Sequence, residues 1–149
     1  MLLQSSHTAF DLDVIGYEDP LGGSTHEDRN LLLTYLRVAD AGRRWQTIAP
    51  LLYSWEVQHI ADWFTDILAD REVPDQLGFL EPCVAFKLSE VSPGRDRFCF
   101  QVTLRYEAVP PWWNEPLHKP YFLSIDCKRI TLQHAVSYLA GLTTAYCVR

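Results

Sequence analysis

The chain has 149 residues, 48% hydrophobic and 21% charged, which suits one globular domain burying about two thirds of its unfolded surface. A net charge of −6 disfavours nucleic acid as a partner, and 13% aromatic residues argue against disorder. No apolar run approaches the roughly 18 residues of a membrane span. Met1 to His7 has neither the basic nor the apolar region of a signal peptide, so a cytoplasmic protein is expected.

Ala9 to Ile15 alternates, with Phe10, Leu12 and Val14 on one face and Asp11, Asp13 and Ile15 on the other, as in a half-buried strand. Gly16 to Asn30 gathers Pro20, Gly22, Gly23 and Ser24 and is expected to be a flexible acidic loop over 16–30. Leu31 to Ala39 is apolar in both phases, the pattern of a central strand covered on both sides. Asp40-Ala41-Gly42 then turns the chain into a third strand, Arg44 to Leu51.

Ser54 is a candidate helix N-cap, with Glu56 in the first turn where a carboxylate suits the helix dipole. Val57, Ile60, Ala61, Phe64, Ile67 and Leu68 recur at helical spacing, Trp63 widens the stripe, and Pro74 ends it near Arg71. Val84, Phe86 and Leu88, then Phe98, Phe100, Val102, Leu104 and Tyr106, mark two strands joined through Pro93-Gly94. Pro110, Pro111 and Pro116 make a rigid corner around Trp112 and Trp113. Tyr121 to Ile125 is a last short strand, and Thr131 caps a C-terminal helix whose stripe is Leu132, Ala135, Val136, Leu139, Leu142 and Tyr146. The order β-β-β-α-β-β-β-α predicts a single α+β domain, a mainly antiparallel sheet of about six strands with two amphipathic helices.

Catalytic and metal signatures are weak. Glu56, His59 and Asp62 recur every three residues on the first helix, but no second such group accompanies them, and the pattern reads as a solvated face. Cys83, Cys99, Cys127 and Cys147 form no CxxC pair, lack zinc spacing with His118, and read as free thiols. No metal or cofactor is expected. Glu81 and Glu107 each stand near a proline at a strand end, where they either accept backbone hydrogen bonds or, if close together, share acid–base work.

Three phrases carry a resemblance: Leu52-Tyr53-Ser54-Trp55-Glu56-Val57 running on through Ile60 to Trp63-Phe64; Phe79-Leu80-Glu81-Pro82; and Glu107 with Pro110-Pro111-Trp112. In order and spacing the chain resembles the WapI family of immunity proteins, from the Leu31 strand to the C-terminal helix. Val57, Ile60 and Phe64 depart from the leucines usual at those places. The resemblance implies a non-enzymatic bacterial protein that binds and neutralises the C-terminal domain of a polymorphic toxin, often a nuclease.

No Lys or Arg precedes Arg29, whereas Asp11, Asp13, Glu18, Asp19, Glu27 and Asp28 do. These six acids are expected to steer a basic toxin, with Trp112 or Trp113 as an anchor. The alternative is a small hydrolase or ligand-binding domain with a pocket between sheet and helices, using Glu81 or Glu107.

Overall fold

The protein, a computed structural model describing residues 1–116 and 118–149, is α+β. Its first half contains β1 (Leu2–Gln4), β2 (Thr8–Tyr17), α1 (His26–Asn30), β3 (Leu31–Asp40), β4 (Arg43–Tyr53) and α2 (Ser54–Leu68). The second half contains β5 (Gln76–Gly78), β6 (Val84–Val91), β7 (Arg97–Leu104), β8 (Tyr121–Lys128) and α3 (Arg129–Ala145). A single 3₁₀ turn, Tyr106–Ala108, follows β7.

The strands form two antiparallel sheets, β1-β2-β3-β4 and β5-β6-β7-β8, each in simple chain order. The single sheet of about six strands and two helices is therefore corrected, among the described residues, to two sheets of four strands and three helices. Alternation reports which residues share a face; it does not report which strands pair. The first sheet stops at β4, an edge on which Pro50, lacking an N–H, is tolerated. The chain then leaves through α2 and starts the second sheet afresh.

Register follows the apolar phase. Phe10 faces Val38 and Leu12 faces Leu36 across β2–β3, while Phe100 faces Ile125 and Val102 faces Leu123 across β7–β8. The β3–β4 hairpin closes on Ala41 and Gly42, with φ of 47° and 81°, the two positive angles of a type I′ turn. Only one face of β3 is fully buried, through Leu32, Thr34, Leu36 and Val38; Leu31, Leu33 and Tyr35 stay half-buried, so the strand is not covered equally on both sides.

The inner faces meet through Phe10 and Phe86, whose ring centroids lie 5.5 Å apart edge to face. Phe64 of α2 inserts beside Phe86 and Phe100, at 5.9 Å and 5.4 Å, and Trp63 reaches Phe100 at 5.8 Å. The indole N–H of Trp63 donates to the Pro74 carbonyl at 2.9 Å. Leu132, Ala135, Leu139 and Leu142 give α3 its buried stripe, and α3 packs against α2.

The helix starts differ from expectation. Tyr53 is the N-cap of α2, and Ser54 instead donates its hydroxyl to Asn30 at 2.8 Å. Glu56 is 3% exposed, which moves it off the solvated face assigned to it: it accepts the Tyr53 N–H at 2.9 Å and the Leu80 N–H at 2.7 Å. Burial pushes its carboxyl above the usual range, against those two donors. At its other end α2 is closed by Arg95 and Arg129, which donate to the Ile67 and Leu68 carbonyls at 2.6 Å and 2.7 Å. α3 begins at Arg129 rather than being capped by Thr131.

Two expected outcomes follow from these contacts. Glu56→Gln leaves one carbonyl oxygen for the buried Tyr53 N–H and the part-buried Leu80 N–H and lowers stability by about 1–3 kcal/mol, read as a shifted urea midpoint. Burial is the main force pushing the Cys83 and Cys127 thiols up to about 12, whereas Cys147 is exposed and Cys99 half-buried. Iodoacetamide at about pH 8.5 therefore labels Cys147 first and Cys83 and Cys127 only after denaturation, as peptide mass mapping would show.

Candidate functional site: the outer face of the first sheet and its acidic end

Four of the six acids before Arg29 have hydrogen-bond or ion-pair partners within the fold. Asp11, on the outward phase of β2, pairs with Arg37 of β3 and lies 3.7 Å from the Met1 nitrogen. Asp13 accepts the Tyr138 hydroxyl from α3 and the Val14 N–H at 2.8 Å. Asp19 closes a turn by accepting the Leu21 N–H at 3.0 Å. Asp28 completes a capping box on α1 with Thr25, the helix lying within the segment expected to be a loop. Those Thr25 hydrogen bonds hold its carboxyl below the usual carboxylate range. Glu18 and Glu27 are exposed, and no side-chain bond holds either among the described residues.

The acidic end is tied down by a residue that sequence reasoning passed over. Asn30 is fully buried, and its amide donates to the His26 and Arg149 carbonyls at 2.8 Å and 3.1 Å. Its carbonyl accepts from the Ser54 hydroxyl and the Arg149 N–H, both at 2.8 Å, so every valence is used. Beside it Trp55 is stacked between His26 and Tyr53, at 5.2 Å and 4.7 Å. A lone Asn at a loop end gives no sequence signal for such a hub.

The Trp corner lies at the far end of the sheet. Both Trp112 and Trp113 are half-buried and pack on Tyr121, whose hydroxyl donates to Asp40. The Trp112 N–H reaches the Tyr121 oxygen at 3.4 Å, and Trp113 donates to the Lys119 carbonyl at 3.2 Å. Arg43, in the β3–β4 hairpin, stands over the Trp112 ring at 5.8 Å. The acidic end and the Trp corner are thus separated by the ten residues of β3, about 30 Å. The structure does not bring them together.

Glu81 and Glu107 carry structural contacts. Glu81 accepts the Tyr53 hydroxyl at 3.3 Å, and Glu107 accepts the Cys83 thiol at 3.3 Å. His59 and Asp62 are exposed, with Gln58 donating to Asp62 at 2.7 Å. Among the described residues, no three His, Cys, Asp or Glu side chains are grouped to hold a metal ion, and no helix is long and apolar enough to cross a membrane.

Clefts line the outer faces of the sheets. On the first sheet, the Ala9–Ala39 rung leaves a hollow of about 420 Å³ bordered by Leu2, Arg37, Arg44 and Gln46. Ile48 stands outward from β4 opposite Tyr35, and the β2 bulge between Val14 and Gly16 leaves Ile15 unpaired and exposed. An isoleucine in the polar phase of each strand was the available signal for this face. Groups that can bond a macromolecule side by side are present here: apolar side chains, an ion pair, and a cluster of carboxylates at one end.

No curated protein matches the chain. Residues 1–147 match a family described as the immunity protein WapI-like family, which is nearly the whole sequence and includes both sheets and all three helices. The chain belongs to the immunity protein WapI-like family.

Proposed function

We propose that this protein neutralises a cognate bacterial toxin domain by binding it, with no cofactor and no chemistry of its own. The observation that supports this reading best is the family match over residues 1–147. The toxin surface it covers is basic and nuclease-like, complementary to the acids at the start of the chain. Asp11, Asp13, Glu18, Asp19, Glu27 and Asp28 contribute the field that draws such a surface in, and Trp112 or Trp113 anchors it. An inhibitor of this kind works by occupying the ground that substrate would need, so affinity and speed of capture matter more than any reactive group.

Within that group, Glu18 and Glu27 are the acids whose charge can be removed without breaking an internal bond. The first test is the gene immediately upstream: a polymorphic-toxin gene there supplies the C-terminal domain for the experiment, and an unrelated metabolic gene counts against this reading. Cells producing that domain survive when this chain is co-expressed. Glu18→Gln with Glu27→Gln slows association by about tenfold at low salt, and the loss shrinks as salt is raised. Trp113→Ala leaves association unchanged and speeds dissociation. Stopped-flow mixing separates the two; an association rate that ignores both charge and salt would defeat the steering assignment.

A further inference from the structure

We infer that the docking face for the toxin is the outer surface of the first sheet, oriented by opposite charges at its two ends. The inference rests on the proposed function and narrows it to a surface. The two sheets differ on their outer sides. The second carries Lys87, Gln101, Thr103, Ser124 and Asp126 outward, with Phe122 the exposed large apolar side chain among them. The first exposes Leu2, Ile15 and Ile48 at 40%, 49% and 56%, with Tyr35 and Leu33 half-buried between them. Ile48, Tyr35, Leu33 and Ile15 lie on the adjoining strands β4, β3 and β2 and so form a contiguous apolar patch, with Leu2 apart from it at the edge of the Asp11–Arg37 rung. A contiguous patch, unlike scattered apolar residues, marks a contact surface.

Cross-strand register makes the surface continuous. Leu2, Asp11, Arg37 and Gln46 form one rung across all four strands, and Gln4, Ala9, Ala39 and Arg44 form the next. Asp13, Tyr35 and Ile48 form a third rung. Because Ala9 and Ala39 are small, the second rung sinks into the 420 Å³ hollow, which is large enough for one apolar side chain of a partner. In the middle rungs Asp11 is balanced by Arg37, which leaves Asp13, hydrogen-bonded to the Tyr138 hydroxyl, as the one unpaired charge at the centre of the three rungs among the described residues. Charge of opposite sign is in excess at the two ends: Glu18, Asp19, Glu27 and Asp28 outnumber Arg29 and Arg149 at one, and Arg43 and Arg44 outnumber Asp40 at the other.

Three strands of about 30 Å at about 4.8 Å spacing, with the three-residue β1 beside them, give an area on the order of 500 Å². With the loop and α1 the face approaches the roughly 800 Å² per partner of a standard interface. The occupant it fits is a toxin surface with a protruding apolar side chain, basic groups towards α1 and acidic groups towards Arg43 and Arg44. The apolar centre supplies affinity, and the opposed ends fix the orientation in which the toxin lands.

The test uses the full chain and the cognate toxin C-terminal domain, purified together and alone. Hydroxyl-radical footprinting of the complex should protect Leu2, Tyr35 and Ile48 and leave Phe122 unchanged. Ile48→Asp, at an exposed site that keeps the melting temperature, should speed dissociation by about thirtyfold or more. Arg44→Glu and Glu27→Lys should each slow association by about tenfold. A complex that forms normally with Ile48→Asp, or that protects Phe122 instead, overturns this surface while leaving the proposed function standing. Failure of the unaltered chain to form any complex overturns both. A homodimer dissolved by Ile48→Asp, with toxin binding unchanged, assigns the face to self-association and overturns the inference.

Discussion

The Glu56 carboxylate sits where the two sheets are joined. One oxygen takes the N–H of Tyr53, the last residue of β4, and the other takes the N–H of Leu80, between β5 and β6. The same side chain is at the N3 position of α2, so one buried group satisfies a helix start and closes the distance between both halves of the chain. The far end of α2 is fixed in the complementary way, its last carbonyls taken by Arg95 and Arg129. With both ends fixed, Phe64 and Trp63 have one position against Phe86 and Phe100. The aromatic core depends on that placement, since ring pairs lose their edge-to-face geometry with small shifts.

Elements long enough to repeat a period were legible in the sequence. The α2 stripe, the alternation of β2, and the β6–β7 hairpin each present several residues in one phase. β1 and β5, at three residues each, and α1, at five, are too short for a period to show, and all three were missed. The division into two sheets was hidden for a different reason. Strand pairing depends on where the chain is carried between strands, and that is set by the Glu56 and arginine contacts at the ends of α2. Ser54 and Thr131 looked like caps because hydroxyls usually are. Ser54 was drawn instead to Asn30, where a buried amide needed a donor.

The candidate site was legible as composition and not as geometry. A run of acids without a single Lys or Arg is visible to the eye, but the bonds that occupy Asp11, Asp13, Asp19 and Asp28 are made by residues as distant as Tyr138. The paired Trp at a proline corner looked like an exposed anchor. Both indole N–H groups proved to be satisfied within the fold, and both rings are partly covered by packing on Tyr121. Asn30, the residue that holds α1 against Arg149 and Ser54, gave no warning at all, because a fully bonded buried amide is recognised only from its partners.

A sheet with one face in the core and one face in water separates folding from recognition. Phe10, Leu12, Leu36 and Val38 are in the buried phase, and any change there alters packing with Phe86 or its neighbours. Tyr35 is in the other phase of β3, and Arg44 and Ile48 share that outer phase on the neighbouring β4, where substitutions leave the core contacts intact. Period two thus gives adjacent positions along one strand opposite obligations. For a protein whose family binds toxins, this has a direct consequence. On the docking face inferred above, specificity would be rewritten residue by residue on the outer phase of β2, β3 and β4, while Glu56, Asn30 and the aromatic core keep the frame that presents it.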